Sequence, residues 1–563
     1  MTMGTASPDV LRRSSHLSTF AHQGAVYLYH DLYGYLLQMS PDLIGFLDAF
    51  AAARSTSEVV ARYADAFEGQ SPQQFVDIFY QHACLVEPDD DEVAGIWPMV
   101  VVKGKWNVWR RRGDRVTLWT AWGDQPVRTI ELDAAETRMW DAFDGEVRLN
   151  ELRGRHDAGR LAALVQRLAH SDVQAIKLCA FPLSTFAKRP SMAPKYLAST
   201  MPYRRWRPGQ PLEAAVTDVA TDDYYRGVAD AAAQFDHQET TLSHLFREPH
   251  PALGGRTYGG ALVDALARLG RLPAERVRVL EIGGGLGYVA RAVCEALIAR
   301  GLTVTYTIQE IAPALAAEQR ARTAGLPVTV REGDVLAADH PSDGYDLVLA
   351  NEMVGDLPAL HLSRADVGLA TDGTGEVDPA KLAALGRAGE LVTQLGIRLD
   401  DAPEPFYLLT GALELVVRIA RWLAPDGTAV ITEFGENAMW PRLSSHLDHP
   451  ELSTHFGHLL QAARSQGLDG SIEFVMDLLD LERRLEGLAT TRSHFRALRA
   501  LFADAGVDLP KLGYTRELLA ERVAGKLDLA EVGELRWDKI EDRLMGLVPH
   551  EFKALLVRKP GGN

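Results

Sequence analysis

A run of glycines follows an apolar stretch near the middle of the chain, where the residues read Leu280-Glu281-Ile282-Gly283-Gly284-Gly285-Leu286-Gly287-Tyr288-Val289-Ala290. The stretch Val277–Gly283 has the pattern of a buried strand, and residues 288–300 have the pattern of a helix. Glycines let the backbone turn sharply and let a ligand approach the main chain, and the N-terminus of the following helix then faces that ligand. The segment therefore predicts a ligand-binding turn between a strand and a helix.

Acidic residues close the next three predicted strands. The strand at 303–308 ends in Gln309-Glu310, the strand at 328–331 ends in Glu332-Gly333-Asp334, and the strand at 345–349 ends in Ala350-Asn351-Glu352. A carboxylate at the end of the second strand suits a bidentate hydrogen bond to ribose hydroxyls, and the carboxyl ends of parallel strands form the ligand crevice of an open α/β sheet. This much negative charge would repel the pyrophosphate of a dinucleotide but not a sulfonium cation. We therefore favour a domain that binds a sulfonium cofactor over the alternative, a Rossmann domain that binds a nicotinamide cofactor.

This arrangement resembles the class I S-adenosylmethionine-dependent methyltransferases. The resemblance implies that the three spaced glycines lie under the methionine part of the cofactor and that Glu281 holds its amino end through the loop. It also implies that Glu310 binds the ribose and that Asp334 lies near the adenine amine. The predicted cofactor is S-adenosylmethionine, and the predicted cofactor-binding residues are Glu281, Gly283, Gly285, Gly287, Glu310, Asp334 and Asn351.

A narrower resemblance covers residues 275–500. The run Ala350-Asn351-Glu352-Met353-Val354-Gly355-Asp356-Leu357-Pro358 is similar to the Asn-Glu-x-x-Asp-x-Leu-Pro motif of MidA-like methyltransferases, a family that includes a mitochondrial complex I assembly factor that methylates a protein arginine. The run Leu452-Ser453-Thr454-His455-Phe456 resembles that family's Leu-Thr-Ala-His-Val. The resemblance implies a nitrogen acceptor in a polypeptide, either arginine or an amine. We expect Glu352 to hold the cationic nitrogen or to accept its proton, with His455 as the reserve base, and the alternative for Glu352 is a helix-capping or ion-pairing carboxylate.

Four histidines lie close together after residue 445, and such a group raises the question of a metal site. The histidines are His446, His449, His455 and His458, and they lack a clear companion set of carboxylates or thiolates, with Asp448 as the nearby candidate. Metal sites usually combine three or four such ligands in a defined geometry. We therefore predict no metal site.

The first third of the chain contains an internal repeat. Residues 40–50 align with residues 133–143, and the same offset of 93 aligns Glu58-Val59 with Glu151-Leu152. Each copy begins with two strand-like runs, which lie at 25–30 and 34–39 in the first copy and at 116–122 and 127–132 in the second. A helix follows, which we expect Ser40 to cap in the first copy and the pair Asp133 and Glu136 to cap in the second. Two further helical patterns end near Val86 and Ile176. The alternative is two unrelated α+β segments that align by chance.

This order of elements resembles the PqqD-like winged-helix family, whose members are also called RiPP recognition elements and bind the leader peptides of ribosomally made, post-translationally modified peptides. A short sheet with an open edge can accept an extended peptide as an additional strand. In the second copy the first strands are basic and aromatic and could hold an acidic leader, through Lys103, Lys105, Trp106, Trp109, Arg110, Arg111, Arg112 and Arg115. An equal alternative is a solvated, charged hairpin that protects a sheet edge against aggregation.

Composition limits the function classes. The chain has 563 residues, with 59 Lys and Arg against 76 Asp and Glu, so its net charge of −17 argues against a nucleic-acid partner. No signal peptide and no apolar run of membrane-spanning length is present, and three cysteines far apart in sequence fit a reducing cytoplasm, so we predict a cytoplasmic protein without a membrane partner. The sequence does not determine the oligomeric state, and a homodimer is one possibility.

The predicted fold class is α/β, a class I methyltransferase Rossmann-like parallel sheet preceded by two small α+β winged-helix-like domains. The predicted domains are 1–95 and 96–181, both PqqD-like, a Pro-rich basic linker at 182–212, and a methyltransferase domain at 213–563. The predicted function is methylation of an amine or guanidinium in a precursor peptide. One class of product that fits this prediction is the daptides, which carry a dimethylated terminal amine. Two alternatives remain: a protein arginine methyltransferase acting on a folded partner, and an assembly factor that binds the cofactor without turnover.

Overall fold

A computed structural model describes residues 7–22, 24–67, 69–122, 125–186, 204–210, 212, 218–219, 221–231, 241–370, 376–446, 449–510, 513–540 and 552–561. The strands, in chain order, are β1 Val10–Arg13, β2 Leu17–His22, β3 Ala25–His30, β4 Leu36–Met39, β5 Arg54–Ser55, β6 Leu85–Val86, β7 Val100–Lys103, β8 Asn107–Arg112, β9 Arg115–Thr120, β10 Arg128–Leu132, β11 Ile176–Cys179, β12 Arg204–Arg205, β13 Asp218–Val219, β14 Arg276–Ile282, β15 Thr303–Glu310, β16 Val328–Glu332, β17 Tyr345–Asn351, β18 Ala359–Leu362, β19 Phe406–Leu408, β20 Leu423–Glu436, β21 Leu443–His446, β22 His449–Leu452, β23 Thr454–His455, β24 Asp469–Phe474, β25 Glu486–Leu488, β26 Val532–Gly533, β27 Trp537–Lys539 and β28 Phe552–Arg558.

The α-helices, in the same order, are α1 Pro41–Asp48, α2 Thr56–Arg62, α3 Pro72–Gln81, α4 Ala134–Asp141, α5 Leu149–Arg153, α6 Ala158–Ala169, α7 Asp222–Arg226, α8 Leu242–Leu245, α9 Tyr258–Arg268, α10 Tyr288–Ala299, α11 Pro313–Arg322, α12 Pro379–Ala384, α13 Arg387–Leu395, α14 Thr410–Trp422, α15 Phe456–Ser465, α16 Val475–Leu478, α17 Arg492–Asp504 and α18 Arg516–Val523.

The chain divides into two compact units. The first comprises Met1–Ala215, Thr490–Leu509 and Ala520–Arg536, and the second comprises Val216–Ala489, Pro510–Leu519 and Trp537–Asn563. Two segments from the last seventy-odd residues of the chain thus belong to the first unit, which the linear domain prediction does not anticipate. Residues 187–203 of the predicted linker lie outside the described residues.

The first unit contains the same succession of elements twice. In the first copy β1 precedes the meander β2–β3–β4 and the helices α1 to α3, and β6 then returns to pair with β1. In the second copy β7 precedes β8–β9–β10 and the helices α4 to α6, and β11 returns to pair with β7. In the first copy, β1 and β2 come before the two predicted strands, so this copy has two more strands at its start than the sequence pattern predicts.

The predicted helix caps are confirmed. The Ser40 hydroxyl accepts a hydrogen bond from the Leu43 amide at the start of α1. The Asp133 carboxylate accepts from the amides of Ala135 and Glu136, and the Glu136 side chain completes a capping box at the start of α4. These bonds satisfy amides that would otherwise lack an intrahelical acceptor, and they fix where each helix begins.

One edge of each meander is covered by a strand from elsewhere in the first unit. The strand β12, from the described part of the predicted linker, pairs with β2, and the nearby Trp206 is buried in the core of the first copy. The strand β26 pairs with β8, and Glu531 forms an ion pair with Arg110 at 2.7 Å. The β8 edge of the basic hairpin is therefore already paired within the unit. At the opposite edges of the two sheets, β4 and β10 are the terminal strands.

The second unit contains an eight-stranded sheet that is mostly parallel. Seven of its strands follow the order β16-β15-β14-β17-β20-β28-β24, and β23 pairs with the end of β20. The pairs from β16 to β20 are parallel, whereas β28 is antiparallel to both β20 and β24. The first strand of this sheet in the chain, β14, thus lies between the second and the fourth, which is the topological switch point where α/β sheets bind ligands.

The sheet of the second unit is anchored by a continuous apolar core. This core joins β17, β20 and β28 to the helices α13, α14 and α15, and its fully buried members include Val348, Leu415, Ile419, Leu459 and Leu555. The three cysteines are buried and form no disulfide. Within the described ranges, no helix is both long and apolar enough to cross a membrane. The predicted α/β class with a Rossmann-like, largely parallel sheet is confirmed.

Candidate ligand site at the switch point

A concave pocket of the second unit lies at the carboxyl ends of β14, β15, β16 and β17. It encloses about 1140 Å³ of empty space, part of which is open to solvent. Six of its lining side chains are carboxylates, and the described lining residues include no lysine or arginine; the carboxylates are Asp222, Glu281, Glu310, Asp334, Glu352 and Asp356. An anionic ligand would be repelled by this lining, and a cationic ligand would be attracted.

The glycine turn after β14 borders the open part of the pocket. Gly285 has a φ of +50°, and a Cβ atom added there would meet no atom within 4 Å, so the main chain itself forms the pocket wall. Gly287 precedes α10 with a φ of +81°, and a Cβ there would lie 3.1 Å from the Cα of Gln319. Glycine is thus required at Gly287 by both its conformation and the close approach of α11.

Gln319 joins the glycine turn to the end of the second strand. Its Nε2 donates to the Gly285 carbonyl at 2.8 Å and to the Glu310 carboxylate at 2.7 Å. The other carboxylate oxygen of Glu310 accepts from the Ala312 amide at 3.0 Å. Sequence reasoning does not identify Gln319, because a buried glutamine in the middle of a helix looks like any other polar residue of that helix.

Burial raises the pKa of two carboxyl groups beside the turn. The pKa of Glu310 is raised to about 7 by burial, and the hydrogen bonds from Ala312 and Gln319 oppose that shift. The pKa of Glu281 is also raised to about 7 by burial, although the Tyr306 hydroxyl donates to its carboxylate at 2.9 Å. Both groups therefore change charge near neutral pH.

The predicted cofactor residues converge on this pocket. Glu281, Gly283, Gly285, Glu310, Asp334 and Asn351 all line it, while Gly287 lies just behind the wall at the start of α10. Asp334 follows β16, and its Oδ1 accepts from the Leu336 amide at 2.8 Å. The carboxyl ends of three parallel strands and the glycine turn are thus brought together as the strand topology requires.

Glu352 lies in the pocket wall at the end of β17, with a φ of +52°. Its carboxylate oxygens accept from the backbone amides of Leu242 and Ser243 at 3.1 Å each, and Asn351 Nδ2 lies 3.3 Å from one of them. The helix-capping alternative is therefore realised at the start of α8. This contact places Ser243 and His244, two further lining residues, against the pocket.

A second carboxylate, Asp356, lines the same end of the pocket. Tyr225 from α7 donates its hydroxyl hydrogen bond to Asp356 Oδ2 at 2.6 Å, and His449 Nε2 lies 3.0 Å from Oδ1. The Thr221 hydroxyl donates to the Asp356 carbonyl at 2.5 Å. Sequence reasoning places Asp356 in a motif but gives this residue no role. It does not identify Tyr225, and it considers His449 only as a metal ligand, because both residues come from distant parts of the chain.

Glu433 lies behind these two carboxylates and is almost fully buried. Its carboxyl oxygens accept from the amides of Gly355 at 3.2 Å and Phe434 at 2.9 Å. Burial raises its pKa well above the usual value, and the neighbouring carboxylates of Glu451, Glu352 and Asp356 raise it further. Burial and the neighbouring carboxylates thus favour the neutral form of Glu433 behind the pocket wall.

His455 is not brought to the pocket. Its ring stacks on that of His458 with a centroid separation of 3.6 Å and contacts the edge of Trp440. Its Nδ1 accepts the backbone amide of His458 at the start of α15, and the side chain is buried. Of the two predicted catalytic side chains, the structure thus places Glu352 in the lining and His455 in the packing around α15.

Comparison with known proteins adds little to this geometry. No protein-family model matches the chain, and no curated protein matches it. Among solved structures, a likely methyl transferase from Burkholderia thailandensis bound to S-adenosyl-homocysteine is 17% identical, with 62% of this chain and 90% of that chain covered and a TM-score of 0.34.

Two other solved structures are similar at the same low level. A putative sarcosine dimethylglycine methyltransferase from Galdieria sulphuraria is 16% identical, with 54% of this chain and 85% of that chain covered and a TM-score of 0.27. The [4+2]-cyclase SpnF is 17% identical, with 54% and 81% covered and a TM-score of 0.27. At TM-scores this low, none of these likenesses assigns an activity or a ligand to this chain.

The glycine turn provides a test with a matched control. Gly285→Leu adds a side chain to the open pocket, whereas Gly301→Leu adds the same side chain at another glycine of positive φ that faces open space after α10. Both variants carry similar backbone strain. We expect isothermal titration calorimetry with S-adenosylhomocysteine to show binding lost in Gly285→Leu and kept in Gly301→Leu. Equal affinity in the two variants would contradict a ligand at this turn.

The raised pKa of Glu310 predicts a pH dependence of ligand affinity. Hydrogen bonds from ribose hydroxyls stabilise the ionised carboxylate, so binding releases the proton that Glu310 holds below its pKa of about 7. The dissociation constant of S-adenosylhomocysteine should therefore rise as the pH falls through that value, by up to about tenfold per pH unit. Glu310→Gln should weaken binding at alkaline pH by about 1–3 kcal/mol and reduce the pH dependence. An affinity of the wild-type protein that does not change with pH would exclude Glu310 as the ribose ligand.

Proposed function

We propose that this chain is an S-adenosylmethionine-dependent methyltransferase that methylates a nitrogen of a ribosomally made precursor peptide. The observation that carries the proposal is a pocket at the switch point that combines an open glycine turn, a carboxylate at the end of the second strand and six lining carboxylates with no described lysine or arginine. A dinucleotide with its pyrophosphate would have no cationic partner in this lining. A sulfonium cofactor matches both its charge and its shape.

The residues present fit S-adenosylmethionine part by part. Glu310 keeps lone pairs for two ribose hydroxyls, and Asp334 lies beyond it at the end of β16, on the adenine side. The backbone at Gly283 and Gly285 and the first turn of α10 offer amides to the methionine carboxylate, since a helix N-terminus favours negative charge. Glu281 lies beneath the turn, where its carboxylate can stabilise the methionine amino group through the loop.

The cofactor supplies an electrophilic methyl group, so the protein has to orient the acceptor, exclude water and receive a proton. The acceptor nitrogen would receive the methyl group of a bound S-adenosylmethionine, with the electron pair of the broken carbon–sulfur bond left on sulfur. An ammonium acceptor has to lose one proton before the transfer to expose its lone pair, whereas a guanidinium loses one proton as the new carbon–nitrogen bond forms. We expect a carboxylate at the β17 end of the pocket to take up that proton.

The peptide substrate is proposed from the first unit. Its two repeated sheets have the covered edges β2 and β8 and the terminal strands β4 and β10. An extended leader peptide can add to a terminal strand through main-chain hydrogen bonds, which give affinity with little demand on sequence. The basic hairpin is less suited to this role than its sequence indicates, because β26 pairs with its edge and Arg110 and Arg111 form ion pairs with Glu531 and Asp141.

Leader-dependent turnover tests this proposal. Candidate short peptides, including any encoded beside the gene for this chain, are incubated with the full chain and S-adenosylmethionine. Each peptide is tested both intact and without its N-terminal half, and methylation is followed by mass spectrometry. A docked leader makes the encounter of the core with the active site intramolecular. We therefore expect kcat/KM for the intact peptide to exceed that for the truncated one by about 10²-fold or more.

Other outcomes separate the alternatives. Equal kcat/KM with and without the N-terminal half would contradict leader docking. Methylation of arginine in a folded protein, with no methylation of short peptides, would indicate a protein arginine methyltransferase. Tight binding of S-adenosylmethionine without turnover on any peptide or protein would indicate a cofactor-binding assembly factor.

A further inference from the structure

We infer that Asp356 is the carboxylate that binds the cationic nitrogen of the acceptor, and that Tyr225 and His449 hold it in position. The inference rests on the methyltransferase function proposed above and deepens it, since it names the chemical class of the acceptor and the residue that selects it. It also assigns to Glu352 the task of holding α8 rather than the acceptor.

The hydrogen bonds of Glu352 explain this division. Each of its carboxylate oxygens accepts a backbone amide at 3.1 Å from the start of α8. A carboxylate that caps two amides is fixed in direction and has part of its charge satisfied. Moving it toward an acceptor would leave those amides without an acceptor at the pocket wall, which is costly.

Asp356 has the opposite character. Its partners, Tyr225 and His449, each donate to a different oxygen, and the side chain is 14% exposed while it lines the pocket. Each oxygen accepts one side-chain hydrogen bond and keeps lone-pair directions for a further donor. An ammonium or guanidinium group could therefore bind Asp356 without breaking either bond.

The position of Asp356 is fixed from three separate elements. Tyr225 comes from α7, His449 from β22, and Asp356 itself from the short turn after β17. The ring of His449 is buried, stacks on Tyr224 with a centroid separation of 4.4 Å and meets Tyr225 edge-on at 5.3 Å. Because these contacts restrain its partners, the carboxylate is held before any ligand arrives, which is the arrangement that a selective site needs.

The charge at this end of the pocket favours a cation. Glu352 and Asp356 both line the cavity from the β17 end, and Glu433 lies behind them with a pKa that burial raises. His244 lies in the same lining, and no described lysine or arginine does. These carboxyl groups would attract a guanidinium or ammonium, whereas a neutral oxygen or sulfur acceptor would gain nothing from their charge.

Small probes test the inference without knowledge of the peptide. The full chain, loaded with S-adenosylhomocysteine, is titrated with n-butylguanidinium, n-butylammonium and the neutral analogue n-butylurea, and binding is followed by saturation-transfer NMR. We expect at least one cation to bind about tenfold more tightly than the urea, the worth of one charge-assisted hydrogen bond. Asp356→Asn should abolish this preference.

Two further variants define the roles. Tyr225→Phe removes one hydrogen bond from Asp356 and should reduce the preference for the cation by about threefold. Asp469→Asn is the matched control: it makes the same Asp-to-Asn change at an exposed residue of β24 that is not among the lining residues, and it should keep the full preference.

The outcomes distinguish this inference from the proposed function. If S-adenosylhomocysteine does not bind the wild-type chain, the proposed function fails. If it binds but the urea binds as tightly as both cations, or if Asp356→Asn keeps the cation preference, the role of Asp356 is overturned while the proposed function stands. Should Asp356→Asn lose S-adenosylhomocysteine binding, Tyr225→Phe decides: an unchanged cation preference in that variant also overturns the inference.

Discussion

Mutual repulsion among carboxylates is the constraint on which the ligand site of this protein depends. Six acidic side chains line one pocket, and the described lining provides no lysine or arginine to neutralise them. The protein reduces the repulsion from within: burial raises the pKa of Glu281 and Glu310 to about 7 and also raises that of Glu433 behind the wall. Positively charged ligands would balance the charge that remains, and for this reason we propose a sulfonium cofactor and a cationic acceptor for the same cavity.

The two carboxylates at the β17 end share this charge but differ in what they can do. Glu352 caps the start of α8 and so fixes part of the pocket wall, whereas Asp356 is held by side chains and faces the cavity. A backbone cap resists movement because its loss would strand buried amides. The difference shows why a carboxylate at the end of a strand cannot be given a catalytic role from its sequence position alone.

Sequence reasoning predicts the part of the site that strand topology determines. Residues that follow consecutive parallel strands must share one sheet edge, so Glu310 and its neighbours could be placed together without coordinates. Gln319 and His449 reach the site from a helix and a distant hairpin, and their local sequences carry no sign of it. His455 came from a short motif, which fixes a position on the chain but not the direction of a side chain. The segment 520–536 joins the first unit through contacts that include the long-range pairing of β26 with β8, which hydrophobic periodicity cannot detect.

The central claim, that the pocket accepts a cationic cofactor in place of a dinucleotide, can be tested in one experiment. The full chain is titrated by isothermal calorimetry with S-adenosylmethionine and, separately, with NAD⁺ under the same conditions. The account predicts that S-adenosylmethionine binds at one site per chain and that NAD⁺ gives no heat of binding. Binding of NAD⁺ at that site, or failure of S-adenosylmethionine to bind, would contradict it.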